Sequence, residues 1–353
     1  MQTLRLTVDP HDLDSETSRS SLKRAAEILR GGGTVALPTE TVYGLGGNAF
    51  DASAIAKIFV AKDRPSWDPL IVHISDTEML QRVAASIPES AAKLIAAFWP
   101  GPLTLLLPKG DAIPDSVTAG RPRVGVRMPQ HPVAHALIRE AGVPIAAPSA
   151  NRFGRTSPTT AEHVAEDLEG RIDAILDSGE TTHGLESTVI DACEDPCVVY
   201  RPGVISLEQI RATGVDAVMF HELAGKKVPE PASLPSPGVG LRHYAPKAKL
   251  ILIEGNGDAL IAAFGDALRQ EQQNGATLGL MLPTEFESAA TGSEAIIYRW
   301  GKWNDTEELA QRLFAGLRFL DKAGATVIVC PLPAPAGIGV AIRDRLLKAA
   351  KTE

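Results

Sequence analysis

Hydrophobic and polar positions follow two different periods along the chain, and this pattern predicts a mixture of helices and strands. Apolar residues at helical spacing predict helices at residues 22–29, 52–61, 89–99, 133–140 and 161–168. Short apolar or β-branched runs predict strands at 34–37, 70–74, 103–107, 145–147, 172–176, 189–191 and 198–200. Ser20 or Ser21 is expected to cap the first helix, and Asp51 the second. Because the two kinds of element mix without strict alternation, we expect an α/β fold with a twisted mixed sheet and flanking helices.

The composition changes between residues 226 and 247, where prolines, serines and glycines leave no room for a regular element. After this segment, strands are predicted at 249–253, 278–282 and 326–329, with helices at 259–272 and 306–323. The sequence therefore predicts a first α/β domain over residues 1–225 and a linker or lid over 226–247. A smaller Rossmann-like α/β domain is expected over residues 248–353.

The overall composition is typical of a globular protein with two domains. The chain has 353 residues, of which 44% are apolar and 22% charged. A net charge of −8 gives no general attraction to nucleic acids or to anionic membranes. The N-terminal sequence does not resemble a signal peptide, and no later apolar run is long enough to cross a bilayer. We therefore expect a cytoplasmic protein that does not bind membranes.

Residues that could carry chemistry stand mainly at the ends of predicted strands. The stretch Leu37–Gly46 follows a buried strand and is expected to be a strand-to-helix loop, where α/β folds place ligand sites. Arg64, Arg127 and Arg201 stand at loop or strand ends, a placement suited to clamping carboxylates and phosphates. The sequence has no serine elbow and no Walker A motif, so it favours positioning and charge stabilisation over covalent catalysis or P-loop chemistry.

Three histidines stand in structured segments, and each has an ordinary structural explanation. His73 interrupts an apolar strand and could be either a core residue or a ligand contact. His131 and His135 are four residues apart on a predicted helix, but no third ligand accompanies them. The three cysteines show no metal-ligand spacing either, so the sequence predicts no protein metal site.

A series of motifs in a fixed order resembles the YrdC-like domain of the threonylcarbamoyl-AMP synthases, in the long form with a C-terminal extension. After the Leu37–Gly46 stretch come the segments 62–65 (KDRP), 68–73 (DPLIVH), 98–104 (FWPGPLT), 124–129 (VGVRMP), 147–151 (APSAN), 157–159 (SPT), 186–189 (ESTV), 201–203 (RPG) and 243–246 (HYAP). The tail at 337–346 (GIGVAIRDRL) is also similar to the C-terminal end of that family.

This resemblance implies a nucleotidyltransferase with a positively lined concave face. Members of the family condense L-threonine, bicarbonate or CO2, and ATP into threonylcarbamoyl-AMP and pyrophosphate. ATP is then a substrate, and Mg2+ is expected to bridge its phosphates. Other proteins would transfer the threonylcarbamoyl group to tRNA, which this protein itself would bind weakly at most.

Carried over by position, the resemblance implies two sets of substrate contacts. The L-threonine contacts are Thr41, His73, Arg127 and Ser187. The ATP contacts are Arg64, Asp68, Arg123, Ala147, Ser149, Ser157, Arg201 and Tyr244. Of these, Arg123 and Ala147 would act through the main chain, and Tyr244 would reach ATP from the lid. Lys62, Arg64 and Arg127 are the expected catalytic residues.

The sequence departs from the family pattern at two of these positions. The family often has Asn where Asp68 stands and Thr where Arg123 stands. An anionic Asp68 near phosphates is unfavourable unless a metal ion or Lys62 offsets its charge.

Two other functions stay open on the sequence alone. A module that binds double-stranded RNA or tRNA would use the concave basic face of a YrdC-like domain and show a steep dependence on salt. A carbamoyl-adenylate-forming component of another carbamoyl transfer pathway would normally come with further catalytic domains, and the C-terminal part is too small for one.

Overall fold

The computed structural model describes residues 2–223 and 244–351, which form two compact units. The first unit consists of residues 2–153, 158–182 and 186–223, and the second of residues 154–157, 183–185 and 244–351. Each unit contains its own sheet, so the predicted α/β class with a smaller second domain is confirmed. Most of the predicted linker and lid, at 226–243, lies outside the described residues.

The first unit is built on one mixed sheet, with eleven strands in the part of the chain that is described. The strands are β1 (Leu4–Thr7), β2 (Val35–Leu37), β3 (Gly44–Asn48), β4 (Ile71–His73), β5 (Leu103–Pro108), β6 (Arg123–Arg127), β7 (Ile145–Ala146), β8 (Ala174–Asp177), β9 (Thr188–Asp191), β10 (Cys197–Arg201) and β11 (Ala217–Met219). Their order across the sheet is β1-β8-β2-β3-β7-β4-β6-β5-β9-β10-β11.

Helices cover this sheet and enclose the core with it. They are α1 (Glu16–Arg30), α2 (Ala52–Lys62), α3 (Thr77–Val83), α4 (Glu89–Phe98), α5 (Asp115–Thr118), α6 (Pro132–Ala141), α7 (Ala161–Leu168) and α8 (Leu207–Ala212). As predicted, Leu22, Ala25, Ala26 and Leu29 share the buried face of α1 and belong to the same core cluster as the strand residues.

The first helix begins earlier than the sequence predicted. Its N-cap is Ser15, whose side chain accepts a hydrogen bond from the backbone N–H of Ser18. The prediction of Ser20 or Ser21 was wrong because the apolar period shows where a helix is buried rather than where it starts. Asp51 caps α2 as predicted, accepting from the amides of Ser53 and Ala54.

The predicted loop at Leu37–Gly46 is only partly a loop. Its end, from Gly44, is strand β3, which pairs antiparallel with β2. A Cβ on Gly46 would lie 2.6 Å from a methyl carbon of Ile145 and 2.8 Å from one of Leu37. This glycine therefore serves close packing of strands and not approach to a ligand.

The second unit carries a four-stranded parallel sheet over the range 249–331. Its strands are β12 (Lys249–Ile253), β13 (Leu278–Pro283), β14 (Ile296–Gly301) and β15 (Val327–Pro331), in the order β12-β15-β13-β14, and its helices are α9 (Gly257–Gln273), α10 (Thr306–Lys322) and α11 (Gly339–Ala349). The strand β14 was not predicted, because it lies at the edge of the sheet and its first four residues are only partly buried. Among the described helices of both units, none has the length and apolar character that a membrane span requires.

Candidate active site

Five neighbouring strands of the first unit bring predicted site residues to one edge of the sheet, which is formed here by the ends of the strands and not by an outer strand. The parallel strands β4 and β6 end together, with His73 and Arg127 as register partners. The parallel strands β5 and β9 begin at that edge, where Leu103 pairs with Thr188. Strand β10 runs antiparallel to β9 and ends there at Arg201. The sequence positions of these residues are far apart, and the strand order gathers them.

Arg127 is the centre of a buried network at this edge. Its side chain is 4% exposed and lies 2.5 Å from a carboxylate oxygen of Glu40. It also donates hydrogen bonds to the Thr41 hydroxyl (2.8 Å) and to the carbonyl of Gly101 (3.2 Å). We call Arg127, Glu40 and Thr41 the carboxylate clamp. Glu40 was not predicted as a site residue, although a carboxylate between two threonines in a strand-end loop was a signal for it.

Burial and the charge of Arg127 together set the protonation of Glu40 and of the neighbouring His73. Burial by itself would raise the pKa of Glu40, but the charge and hydrogen bonds of Arg127 hold that pKa below its usual value. Burial, and then the charge of Arg127, lowers the pKa of His73 to about 3. His73 is therefore neutral at physiological pH, and its buried Nδ1 has no hydrogen-bond partner among the described residues.

Ser187 stands between two other residues of the same edge. Its hydroxyl is 2.7 Å from that of Thr104 and accepts a hydrogen bond of 3.1 Å from Nη2 of Arg201. Arg201 also donates from Nε to the carbonyl of Ser187 at 3.0 Å. The structure thus brings a predicted L-threonine contact and a predicted ATP contact together, and adds Thr104, which was not predicted as a site residue.

Lys62 ends helix α2 and is buried, with 1% of its surface exposed. Its ammonium group donates to the carbonyl of Ser149 at 2.6 Å and to the carbonyl of Asn151. The Ser149 hydroxyl in turn donates to the side-chain oxygen of Asn151. Lys62 therefore fixes the loop that holds Ser149, and Asn151 is a further member that was not predicted.

Arg64 and Asp68 form a buried ion pair one turn beyond α2. Nη2 of Arg64 lies 2.9 Å from one carboxylate oxygen of Asp68, and the other oxygen, Oδ1, has no hydrogen-bond partner within residues 2–223 and 244–351. Burial raises the pKa of Asp68, although Arg64, Lys62 and Arg201 all act to lower it. Lys62, Arg64, Asp68 and Arg201 together combine three cations with one carboxyl group. We call them the phosphate cluster, after the ATP contacts that the sequence predicts for Arg64, Asp68 and Arg201.

The structure does not bring every predicted residue to this edge. Arg123 begins β6, about 13 Å along the strand from Arg127, and its side chain lies 3.8 Å from Asp191 and 3.9 Å from Glu194. Its contact with ATP, which was expected through the main chain, stays a prediction.

Three further predicted ATP contacts, at residues 147, 157 and 244, lie in other parts of the structure. Ala147 follows β7, and its amide donates to the carbonyl of Ile71 at 2.8 Å. Ser157 and Tyr244 belong to the second unit, where both are buried. Their contacts with ATP stay predictions.

Comparison with known protein families agrees with this architecture. The family model Sua5_yciO_yrdC, described as "Telomere recombination", matches residues 27–203. A second model, Sua5_C, described as "Threonylcarbamoyl-AMP synthase, C-terminal domain", matches residues 205–351. This chain belongs to the threonylcarbamoyl-AMP synthase family. The resemblance inferred from the motifs is confirmed, and the protein is an enzyme.

Individual relatives match over nearly the whole chain. The threonylcarbamoyl-AMP synthase of Bacillus subtilis is 44% identical over 351 residues, which cover 99% of this chain and 98% of the relative. That of Pyrococcus abyssi is 43% identical over 329 residues, 93% of each chain. The crystal structure of P. abyssi Sua5 complexed with L-threonine matches with a TM-score of 0.90 and 40% identity, covering 99% of this chain and 98% of that one.

Proposed function

We propose that this protein is a nucleotidyltransferase that condenses L-threonine, bicarbonate or CO2, and ATP into threonylcarbamoyl-AMP and pyrophosphate. The observation that carries the proposal is the contact between Ser187, a predicted L-threonine contact, and Arg201, a predicted ATP contact, at the strand ends where Arg127 also lies. Family membership and relatives of 43–44% identity named threonylcarbamoyl-AMP synthase support the same reaction. The product would serve other proteins that modify tRNA.

The carboxylate clamp is suited to an amino acid substrate. Arg127 is held from three sides, so its guanidinium is oriented before a carboxylate arrives. Neutral His73 can accept a hydrogen bond through its unpartnered Nδ1 from the ammonium or hydroxyl group of L-threonine. Ser187 would contribute a further hydroxyl contact.

The reaction needs charge stabilisation more than it needs an enzyme nucleophile. The amine of L-threonine adds to CO2 and loses a proton, which gives a carbamate. A carbamate oxygen then attacks the α-phosphorus of ATP, and the bond to pyrophosphate breaks with its electron pair. Because two anions must meet, the three cations of the phosphate cluster would lower the barrier by offsetting their repulsion. Ser149, Ser157 and Tyr244 remain proposed nucleotide contacts.

Mg2+ fits this protein as a companion of ATP and not as a resident metal. In the described ranges there is no group of three or more His, Cys, Asp or Glu residues that could hold a metal ion. The buried Oδ1 of Asp68 is a single acceptor beside three cations, too little for a protein-built site. When bound to the triphosphate, Mg2+ would neutralise part of its charge.

Release of pyrophosphate from ATP tests the proposal directly. We expect release to require both L-threonine and bicarbonate, with threonylcarbamoyl-AMP detected by mass spectrometry. D-Threonine is the matched control, since it has the same groups in the wrong arrangement. ATP turnover that is equal with and without L-threonine would refute the proposed function.

A further inference from the structure

Helix α10 of the second unit presents one face to three chain segments that hold or lead into predicted substrate contacts. Gln311, Phe314 and Arg318 are spaced i, i+3 and i+7, so their side chains lie on the same face of the helix. We call these three residues the positioning face. The segments that it contacts are Gly154–Ser157, the chain around Tyr244, and His183–Leu185, all within the second unit.

Arg318 holds the first of these segments. Its side chain is largely buried, with 9% of the residue exposed. Nη2 donates to the carbonyl of Thr156 at 2.6 Å, and Nε donates to the carbonyl of Ser157 at 3.4 Å. Because a charged and planar donor group spans two successive carbonyls, it fixes the orientation of the peptide that carries Ser157.

Phe314 holds the second segment. The ring of Tyr244 stacks on that of Phe314, with centroids 5.7 Å apart and an interplanar angle of 28°. The guanidinium of Arg345 lies 5.1 Å from the centroid of the Tyr244 ring. The next residue, Ala245, donates from its amide to the carbonyl of Gly154 at 2.9 Å. The segment at Tyr244 is therefore tied to the segment that Arg318 holds.

Gln311 meets the third segment at Gly184. This glycine has a φ of 66°, and a Cβ there would lie 2.4 Å from the carbonyl oxygen of Gln311. Only glycine permits both the backbone conformation and the close approach. Ser187, a predicted contact of L-threonine, follows three residues later in the chain.

We infer that the positioning face of α10 sets the geometry of nucleotide binding, with Arg318 as a positioning residue for Ser157. The inference rests on the proposed function, because Ser157 is an ATP contact only within it. Arg318 acts through the main chain of Thr156 and Ser157. Helix α10 thereby contributes to ATP binding by shaping a segment that lies 161 residues before Arg318 in the chain.

The test is Arg318→Ala in the full chain, followed by steady-state pyrophosphate release and by calorimetric titration with ATP. We expect the KM and Kd for ATP to rise at least about tenfold, because two carbonyls lose a charged donor. The KM for L-threonine should stay within about twofold of its original value. Amide hydrogen exchange should become faster at residues 155–159, and Arg318→Lys should restore part of the ATP affinity because it keeps a charged donor.

Arg312→Ala is the matched control, because Arg312 lies on the same helix and contacts Glu308 and the Tyr298 ring instead. It should leave the KM for ATP unchanged. The inference is overturned if Arg318→Ala lowers kcat or Tm but leaves ATP affinity at the wild-type value, since Arg318 would then be merely structural. If the wild type releases no threonine-dependent pyrophosphate, the proposed function fails, and the ATP titrations of the two variants still decide the role of Arg318.

Discussion

The carboxylate clamp and the phosphate cluster each contain a buried carboxyl group beside an arginine, yet the two carboxyl groups behave oppositely. The pKa of Glu40 lies below its usual value, although burial opposes this, because Arg127 and main-chain amides stabilise the anion. The pKa of Asp68 lies above its usual value, because burial outweighs the attraction of Arg64, Lys62 and Arg201. An arginine beside a buried carboxyl group therefore lowers the pKa below its usual value in the clamp but does not do so in the phosphate cluster.

The difference lies in how completely each carboxylate is solvated by the protein. Glu40 is 2.5 Å from Arg127 and also accepts from the amide of His131 at 3.4 Å. Asp68 uses one oxygen for Arg64, while its other oxygen has no partner in the described chain. The clamp is close to neutral, and each carboxylate oxygen of Glu40 lies beside a donor group, so the clamp serves to orient Arg127. The phosphate cluster keeps an excess of positive charge, which a triphosphate can use.

The largest effect on this comparison is expected from Arg127→Ala. Loss of the charged contact should weaken L-threonine binding by about 1.5–3 kcal/mol. Glu40 would remain buried without its partner, so the free energy of unfolding should also fall by roughly 3–5 kcal/mol. Calorimetry with L-threonine and urea denaturation measure the two effects.

A second substitution separates binding from stability in this variant. Replacing Glu40 as well, in Arg127→Ala/Glu40→Ala, should restore much of the stability, because no buried charge is then left unpaired. L-Threonine affinity should stay low. Arg127→Lys should not rescue it fully, since an ammonium cannot contact Glu40, Thr41 and a carboxylate in the same planar arrangement. Normal L-threonine affinity in Arg127→Ala would contradict the role of the clamp.

Arg201→Ala should have the next largest effect, and on the other substrate. We expect ATP affinity to fall by about 1.5–3 kcal/mol, with a smaller loss for L-threonine that reflects the contacts between Arg201 and Ser187. Calorimetric titrations with each substrate measure the difference. Arg211→Ala is a suitable control, because Arg211 lies in helix α8 and donates to the carbonyl of Ala217 in strand β11. Equal losses of ATP affinity and L-threonine affinity would show that the carboxylate clamp and the phosphate cluster do not bind different substrates.

The sequence predicted the parts of this comparison that depend on local pattern. Arg127 and Arg201 were expected at strand ends because short apolar runs stop at those residues, and both do end strands. The family motifs then supplied the two sets of contacts. Asp51 as a cap and the buried face of α1 follow equally from local chemistry.

The parts that were missed depend on contacts between distant segments. Glu40 and Arg127 are 87 residues apart, and no local pattern shows that they pair. Gly44 and Gly46 were predicted as loop residues because glycine is typical of turns. They form a strand instead, through pairing with β2 and, at Gly46, close packing against Leu37 and Ile145, and these contacts have no local signal. The placement of segments 154–157 and 183–185 in the second unit has no signal in their own sequence.

Asp68→Asn should have a modest effect in the opposite direction. Replacing Asp68 by Asn removes a negative charge that acts on Lys62, Arg64 and Arg201, so ATP affinity should be unchanged or improve by up to about tenfold. Because Asp68 has a raised pKa, ionisation on raising the pH works against phosphate binding in the wild type and is absent in Asp68→Asn. Titrations of ATP binding across pH measure this difference. A large loss of ATP affinity would show that the phosphate cluster needs the ionised carboxylate.

The smallest effect is expected in the pH dependence of folding, and it compares the two carboxyl groups directly. Glu40 has a folded pKa below the usual pKa of a glutamate, so it contributes stability at higher pH that is lost as the pH falls through the folded pKa. Asp68 has a folded pKa above the usual pKa of an aspartate, so its contribution to stability is present at low pH and is lost as the pH rises through the folded pKa. Urea denaturation of the wild type, Glu40→Gln and Asp68→Asn at a series of acidic pH values measures the contribution of each carboxyl group to the free energy of unfolding. The stability advantage of the wild type over Glu40→Gln should grow as the pH rises from acid, while its advantage over Asp68→Asn should shrink. If both differences changed with the same sign, the two buried pairs would be electrostatically alike, and the contrast between a nearly neutral clamp and a cluster with more cations than carboxyl groups would be wrong.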